Sequence, residues 1–324
     1  MELRAEGLYC PPGDFYIDPW AAVGRAVVTH AHAVSVNALA GAYFTAKPGV
    51  MLLRGHHLGP QAIIECQEYG EIRSVGGVRI SFHPAGHILG SAQIRIEHGG
   101  AVWVVSGHYK LAPDPTCASF EPLRCHTFVT EASFALPIFR WPDANEVREA
   151  VHAWWRANQQ AGSATLLFTE PVGQAQRLLA MLDPSIGPIY THESIDPINA
   201  IYAQQSIPLA PATPASDAGD WRRALILAPP SAHGSAWARR FGTASTAVAS
   251  GWMRIRGTRR RRSLDRGFVL SDHADWPGLL RAIEETHAER IRVMGGFRGP
   301  LTRWLQERGR DALAIETPFG ESEP

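Results

Sequence analysis

The stretch VVTHAHAVSVNA, residues 27–38, runs an apolar strand into His30 and His32, two positions apart. Side chains two apart on an extended chain point the same way, so both imidazoles can reach one ion. A polar pair capping a strand explains that spacing as well, so the pair alone decides nothing. Further residues of the same kind follow. His87 stands in HPAGHILGSAQ between Gly86 and Gly90, where glycine lets the backbone turn tightly and carry an imidazole inward. His108 follows an apolar strand and a glycine in VVSGHYK; Asp272 and His273 follow one in VLSDHADW; Glu131 ends the strand in FVTEASF. Strand ends that repeatedly deliver metal-binding or proton-transferring side chains describe a hydrolytic metal pocket better than unrelated caps do.

The elements that must position these residues divide the chain. The first part is β-rich: RAVVT (25–29), GGVRISFHPA (76–85), a hairpin over 92–107 turning at Gly99-Gly100, and TFVTE (127–131). A Pro-containing segment, ALPIFRWPDA, leads into a helix over 145–160. The rhythm then becomes strand–helix alternation: ATLLF with GQAQRLLAML, GPIYTH with DPINAIYAQQ, RALILAP with GSAWARRF. That alternation indicates a parallel sheet flanked by helices. After the basic run RGTRRRRSLDRG (256–267), a strand–helix–strand in FVLSDHADWPGLLRAIEETH and ERIRVMGGF returns to the first part. The class is α/β: a β-rich domain interrupted by an α/β insertion.

Bulk properties bound the rest. The 324 residues suffice for one large or two ordinary domains, and 31 basic residues balance 31 acidic ones. No global charge argues for nucleic acid, although a local patch can still bind it. Cys10, Cys66, Cys117 and Cys125 are far apart and form no C-x-x-C pair, so a reducing cytoplasm is the expected location. No apolar run nears the ~20 residues needed to span a bilayer, and no membrane partner is expected.

The chain resembles the metallo-β-lactamase superfamily, specifically its β-CASP nucleases, and most closely the bacterial DNA-ligase-associated exonuclease-like proteins. GLYCPPGDFYIDPW, SFHPAGHILGSAQ, PDPTCASFEP, ASGWMRIRGTRRRR, RGFVLSDHADWPGLL and RWLQERG carry the resemblance over nearly the whole length. It implies a metallo-β-lactamase αββα sandwich with an inserted β-CASP α/β domain: residues 1–140, the insertion 141–262, and a return segment 263–324. In such enzymes two divalent metals share a bridging hydroxide that attacks a phosphodiester, each metal polarising oxygen and lowering the pKa of water.

On the family pattern H-x-H-x-D-H, His30 and His32 match while Val34 and Ser35 do not. His87 matches the next ligand. His108 stands at the usual bridging aspartate, and Gly295 where a last metal-binding histidine belongs. Glu131 matches the acidic residue opening the β-CASP segment, and His273 the histidine that contacts phosphate or assists proton transfer, with Asp272 beside it. The first metal position therefore keeps four imidazoles, His30, His32, His87 and His108, a chemically sound closed zinc set. The second loses its ligands, since valine and glycine cannot ligate and a neutral imidazole offers one lone pair to one ion. One zinc (or manganese) ion is the most the resemblance implies; two-metal occupancy is not expected.

Binding outlasts cleavage in this reading. Arg259, Arg260, Arg261 and Arg262 concentrate charge that can neutralise phosphates, unless they form a solvated loop. Trp141, Trp154, Trp155 and Trp252 are candidates for base stacking, with at least one of the adjacent pair expected in the core. Gly173 opens a helix whose amides can face a phosphate, although Gln174 stands where related proteins carry lysine. The leading expectation is a catalytically impaired or inactive exonuclease homologue that binds DNA (or RNA) or a repair partner, a ligase or helicase by resemblance. An active one-metal zinc-dependent nuclease and a structural interaction protein with a vestigial pocket are the alternatives.

Overall fold

The computed structural model describes residues 1–33, 39–217, 220–255 and 264–318. The chain forms two compact units: one from Met1–Phe139 and the segment from Asp272 onward, the other from Arg140–Ser271. The chain returns to the first unit at Asp272, nine residues beyond the 263 expected from sequence. The reason lies in the strand Arg266–Phe268, which pairs in parallel with Ala244–Ala249 and so completes the insertion's own sheet. The FVL strand therefore does not belong to the returning domain.

The first unit holds two sheets among the described residues. One is six-stranded, in chain order from Glu2–Arg4 through Gly7–Cys10, Phe15–Ile17, Val23–Val28 and Ala40–Ala46 to Ile64–Gln67. The other is seven-stranded, ordered Asp311–Ile315, Arg290–Met294, Thr127–Glu131, Ala101–Val105, Ala92–His98, Val78–Pro84, Arg73–Val75. Leu8, Phe15, Ile17 and Val27 of the first sheet share one buried cluster with Ile80, Phe82, Ile94 and Val129 of the second, so the sheets pack face to face. The far side of the second sheet contributes Val104, Phe128, Ile291 and Val293 to another cluster, closed by the helices Trp276–Glu285 and Arg298–Gln306. The hairpin turns at Gly99 and Gly100, both at positive φ (55° and 80°), the backbone that a tight two-residue turn between twisted strands demands.

In the second unit six parallel strands run in the order Thr213–Pro214, Ile189–Thr191, Leu225–Ala228, Ala164–Phe168, Ala244–Ala249, Arg266–Phe268. The helix Ala144–Gln160 starts where Asp143 accepts a hydrogen bond from the Asn145 amide, and buries Val147, Val151, Trp154 and Trp155 against the sheet. Trp154 and Trp155 are both core residues: their indole N–H groups donate to Ser245 Oγ and to the Arg223 carbonyl. Neither is a base-stacking platform. No helix among the described residues is long and apolar enough to cross a membrane.

Candidate metal centre

The strand Val23–Val28 ends at Thr29 and delivers His30, and a 3-10 turn, Ala31–Ala33, then carries His32. His87 sits in the loop between Val78–Pro84 and Ala92–His98. Gly86 there adopts φ +73°, and a Cβ on it would lie 2.2 Å from the Lys110 carbonyl oxygen, so only glycine fits. His108 follows the strand Ala101–Val105 after Gly107, whose missing Cβ makes room for Thr29. Glu131 closes its strand, and Asp272 and His273 enter as the chain rejoins the unit. All seven side chains converge in the first unit.

They do not converge equally. The ligand-capable atoms of His30, His87 and His108 lie within 4.8 Å of one another, and so do those of His32, His87 and Asp272. The four imidazoles thus fall into two overlapping close sets, the trio His30–His87–His108 and the set His32–His87–Asp272, which share His87. Three imidazoles leave a fourth position on a tetrahedral ion open, the arrangement of catalytic rather than structural zinc sites.

Hydrogen bonds decide which nitrogen of each ring is available. Asp18 accepts from the Thr29 amide at 2.9 Å and from the Thr29 hydroxyl at 2.6 Å. The hydroxyl's proton being so committed, its oxygen accepts from Nδ1–H of His30 at 2.7 Å. The lone pair of His30 is thereby on Nε2, a buried atom with no hydrogen-bond partner among the described residues. His87 donates Nδ1–H to the Asp272 backbone carbonyl at 3.0 Å, which places its own lone pair on Nε2, 3.4 Å from His32 Nδ1. Nδ1 of His108 is the other buried ring nitrogen of the trio without a partner among the described residues. Burial disfavours charge on these rings: His30 is held well below the ordinary histidine range, His32 and His87 at about 4, His108 at about 3. Three neutral imidazoles, two of them with a buried ring nitrogen otherwise unsatisfied, suit a borderline-soft divalent ion such as zinc better than a hard cation.

The remaining close set, His108–Glu131–His273, has a different character. Nδ1–H of His273 donates to Glu131 Oε2 at 2.8 Å, and the Tyr109 amide donates to Oε1 at 2.8 Å. Burial alone would lower His273, but the Glu131 carboxylate outweighs it and, with Asp272, lifts the ring to about 9. Burial alone would raise Glu131, yet His273 brings it down to about 2. An imidazolium has no lone pair to give, so this set is an ion pair beside the trio rather than a second ligand set.

Asp18 and Thr29 were not among the residues singled out from sequence, and the threonine directly preceding His30 was the available signal. Gln174 accepts from Thr169 Oγ1 and donates to the Leu270 carbonyl, so its side chain is committed within the second unit. Val34, Ser35 and Arg259 to Arg262 lie outside the described residues. Gly295 adopts φ +64° after the strand Arg290–Met294 and presents no ligand.

No family model matches the chain. A probable DNA ligase of Opitutus terrae is 28% identical over 314 residues, covering 96% of this chain and 30% of the ligase. Cleavage and polyadenylation specificity factor 73 of Drosophila melanogaster is 30% identical over 122 residues, 37% of this chain and 18% of the factor. Endoribonuclease YSH1 of Gibberella zeae is 28% identical over 130 residues, 39% of this chain and 15% of the enzyme. The chain spans less than a third of the length of each of these relatives.

Proposed function

We propose that the chain is a β-CASP protein of the metallo-β-lactamase superfamily, ligase-associated and DNA exonuclease-like but impaired in cleavage; its similarity to a probable DNA ligase, a cleavage and polyadenylation factor and an endoribonuclease supports this reading. One divalent ion, best zinc, in the His30–His87–His108 trio replaces the family's pair. In this reading the first unit is the metallo-β-lactamase αββα sandwich and the second the inserted β-CASP domain. DNA is favoured over RNA because the relative that matches 96% of this chain is named a DNA ligase. A ligase or helicase of DNA repair is the proposed protein partner.

The trio supports this reading through its two unpartnered buried nitrogens, and the family pattern puts His108 where a bridging carboxylate belongs. An ion held by His30, His87 and His108 would supply Lewis acidity and lower the pKa of a bound water. In this reading the His273 imidazolium, hydrogen-bonded to Glu131, donates to a phosphate oxygen. Missing are a carboxylate at residue 34 to take the water's proton and a second ion to stabilise the leaving oxygen. Arg259 to Arg262 supply sequence-independent attraction to phosphates.

The test is to strip the protein with chelator, reload it with zinc, remove free metal and measure metal per chain and DNA cleavage. A tightly held ion lost in His87→Ala, with DNA bound but hardly cut, is the expected result. Rapid metal-dependent cleavage abolished by His87→Ala overturns the impairment. A second reading, an active one-metal hydrolase, is favoured by the open fourth position of the trio. Slow cleavage that needs His273 and survives Ser35→Ala identifies it.

A further inference from the structure

We infer that Ser91, which stands outside every close ligand set, is a positioning residue for His87: its hydroxyl holds the backbone from which that imidazole enters the pocket. The inference deepens the reading above and rests on it in one respect, that His87 is a metal ligand.

Residues 87–91 lie in the connection between the strands Val78–Pro84 and Ala92–His98. No sheet ladder serves such a connection, so its buried amides must find partners elsewhere. The Ser91 hydroxyl oxygen accepts from two of them, the His87 amide at 3.1 Å and the Ile88 amide at 3.2 Å. Two successive amides aimed at one point make the kind of concavity that can hold an anion. Here the connection fills it from within, so the amides fix the chain instead of recruiting a ligand. The backbone of Ser91 is engaged as well. Its amide donates to the Ile88 carbonyl at 3.0 Å, and its carbonyl accepts from the Ala85 amide at 3.2 Å and the Tyr69 hydroxyl at 3.0 Å. Gly90 beside it adopts φ +73°, and a Cβ there would lie 2.2 Å from the Gly49 backbone, so the connection is closed on that side too.

His87 and Ser91 are both buried. The ring of His87 is tied at its far end, where Nδ1–H donates to the Asp272 carbonyl at 3.0 Å. That bond selects the tautomer, but it leaves the position of the His87 backbone to be set by the connection itself. A ligand set works only when each member is held within about 0.5 Å of its productive place. Replacing the Ser91 hydroxyl by a hydrogen takes the shared acceptor from two buried amides. The vacated space is smaller than the ~30 Å³ share of a water molecule, so water does not simply replace the lost oxygen. The connection must shift to satisfy those amides, and the His87 ring shifts with it.

Zinc titration of the metal-free full chain, run beside thermal unfolding, tests the proposal. Ser91→Ala is expected to bind zinc about 10–100-fold more weakly, and its metal-free form to exchange the His87 Nδ1 proton with water faster by NMR. Ser91→Cys, whose sulfur is a weak acceptor of similar shape, is expected to fall between Ser91→Ala and the wild type, and it serves as the test if Ser91→Ala does not fold. Tyr69→Phe removes a bond to the Ser91 carbonyl but none to the His87 amide, so it is expected to melt lower with zinc affinity unchanged. Wild-type zinc affinity in Ser91→Ala and Ser91→Cys, or an equal loss in Tyr69→Phe, overturns the positioning role. Zinc affinity unchanged in His87→Ala overturns instead the reading of His87 as a ligand.

Discussion

The hydroxyl oxygen of Thr29 lies 2.7 Å from Nδ1 of His30, and this contact decides which face of the imidazole can bind metal. Asp18 holds the hydroxyl proton, so Thr29 can only accept from the ring. In Asp18→Asn the amide nitrogen can no longer accept that proton. Thr29 then turns its hydroxyl toward Nδ1, and the ring proton moves to Nε2. Zinc affinity is expected to fall about 10–100-fold with the fold intact. Nitrogen NMR of the His30 tautomer, read beside a zinc titration, checks both halves; an unchanged tautomer and affinity would refute the relay.

The Glu131–His273 pair predicts a pH window for stability. Glu131, lowered to about 2, contributes fully above its unfolded value near 4.5 and loses that contribution as pH falls through its folded value. His273, raised to about 9, contributes fully below its unfolded value near 6.5 and loses that as pH rises toward 9. The pair is therefore strongest between roughly pH 4.5 and 6.5 and weaker on either side. Its proton energetics are shared between the two groups, so they count once. Melting curves of the wild type and Glu131→Gln should differ most near pH 5.5 and draw together above pH 9. NMR titration should find His273 back near its ordinary range in the variant.

Gly107 couples backbone strain to ligand geometry. It adopts φ +58°, and a Cβ there would stand 2.5 Å from Thr29 Oγ1. Gly107→Ala is expected to cost about 1–3 kcal/mol and to weaken zinc binding by displacing Thr29 from His30. Chemical denaturation and zinc titration of the one variant measure the two effects. Loss of stability without loss of affinity would uncouple them.

Trp155 offers the opposite pattern. It is fully buried in the second unit, and its indole N–H donates to the Arg223 carbonyl. Trp155→Ala is expected to destabilise by about 3–5 kcal/mol while metal per folded chain stays unchanged, since every proposed ligand lies in the first unit. Calorimetry with metal analysis of the folded fraction tests this.

Legibility from sequence tracked locality. The hairpin at Gly99-Gly100, the helix over 144–160 and the parallel strands of the insertion announced themselves, because turn chemistry and periodicity act over a few residues. Each of His30, His32, His87, His108, Glu131, Asp272 and His273 was visible as a strand-end residue. What sequence could not show was their grouping. That His30 and His32 fall in different close sets depends on Ala31–Ala33 forming a 3-10 turn rather than more strand, so the same-side argument for the two did not govern their geometry. The same limit hid the relay through Asp18, a tertiary contact eleven residues from Thr29. It also hid the return point, because Arg266–Phe268 is a strand in either unit by pattern and belongs to the insertion by pairing.

The hydrogen bond from His87 to the carbonyl of Asp272 joins residues 185 positions apart, with the whole second unit between them in the chain. During synthesis the ring of His87 leaves the ribosome long before the oxygen that orients it. At roughly 5–20 residues per second, the 132 residues of Arg140–Ser271 delay that oxygen by on the order of ten seconds. Until then His87 has no partner to fix its tautomer, and its affinity for metal is that of an unanchored imidazole. In the proposed reading the insertion thus acts as a timer, since the orientation of His87 waits until the chain has been made as far as Asp272.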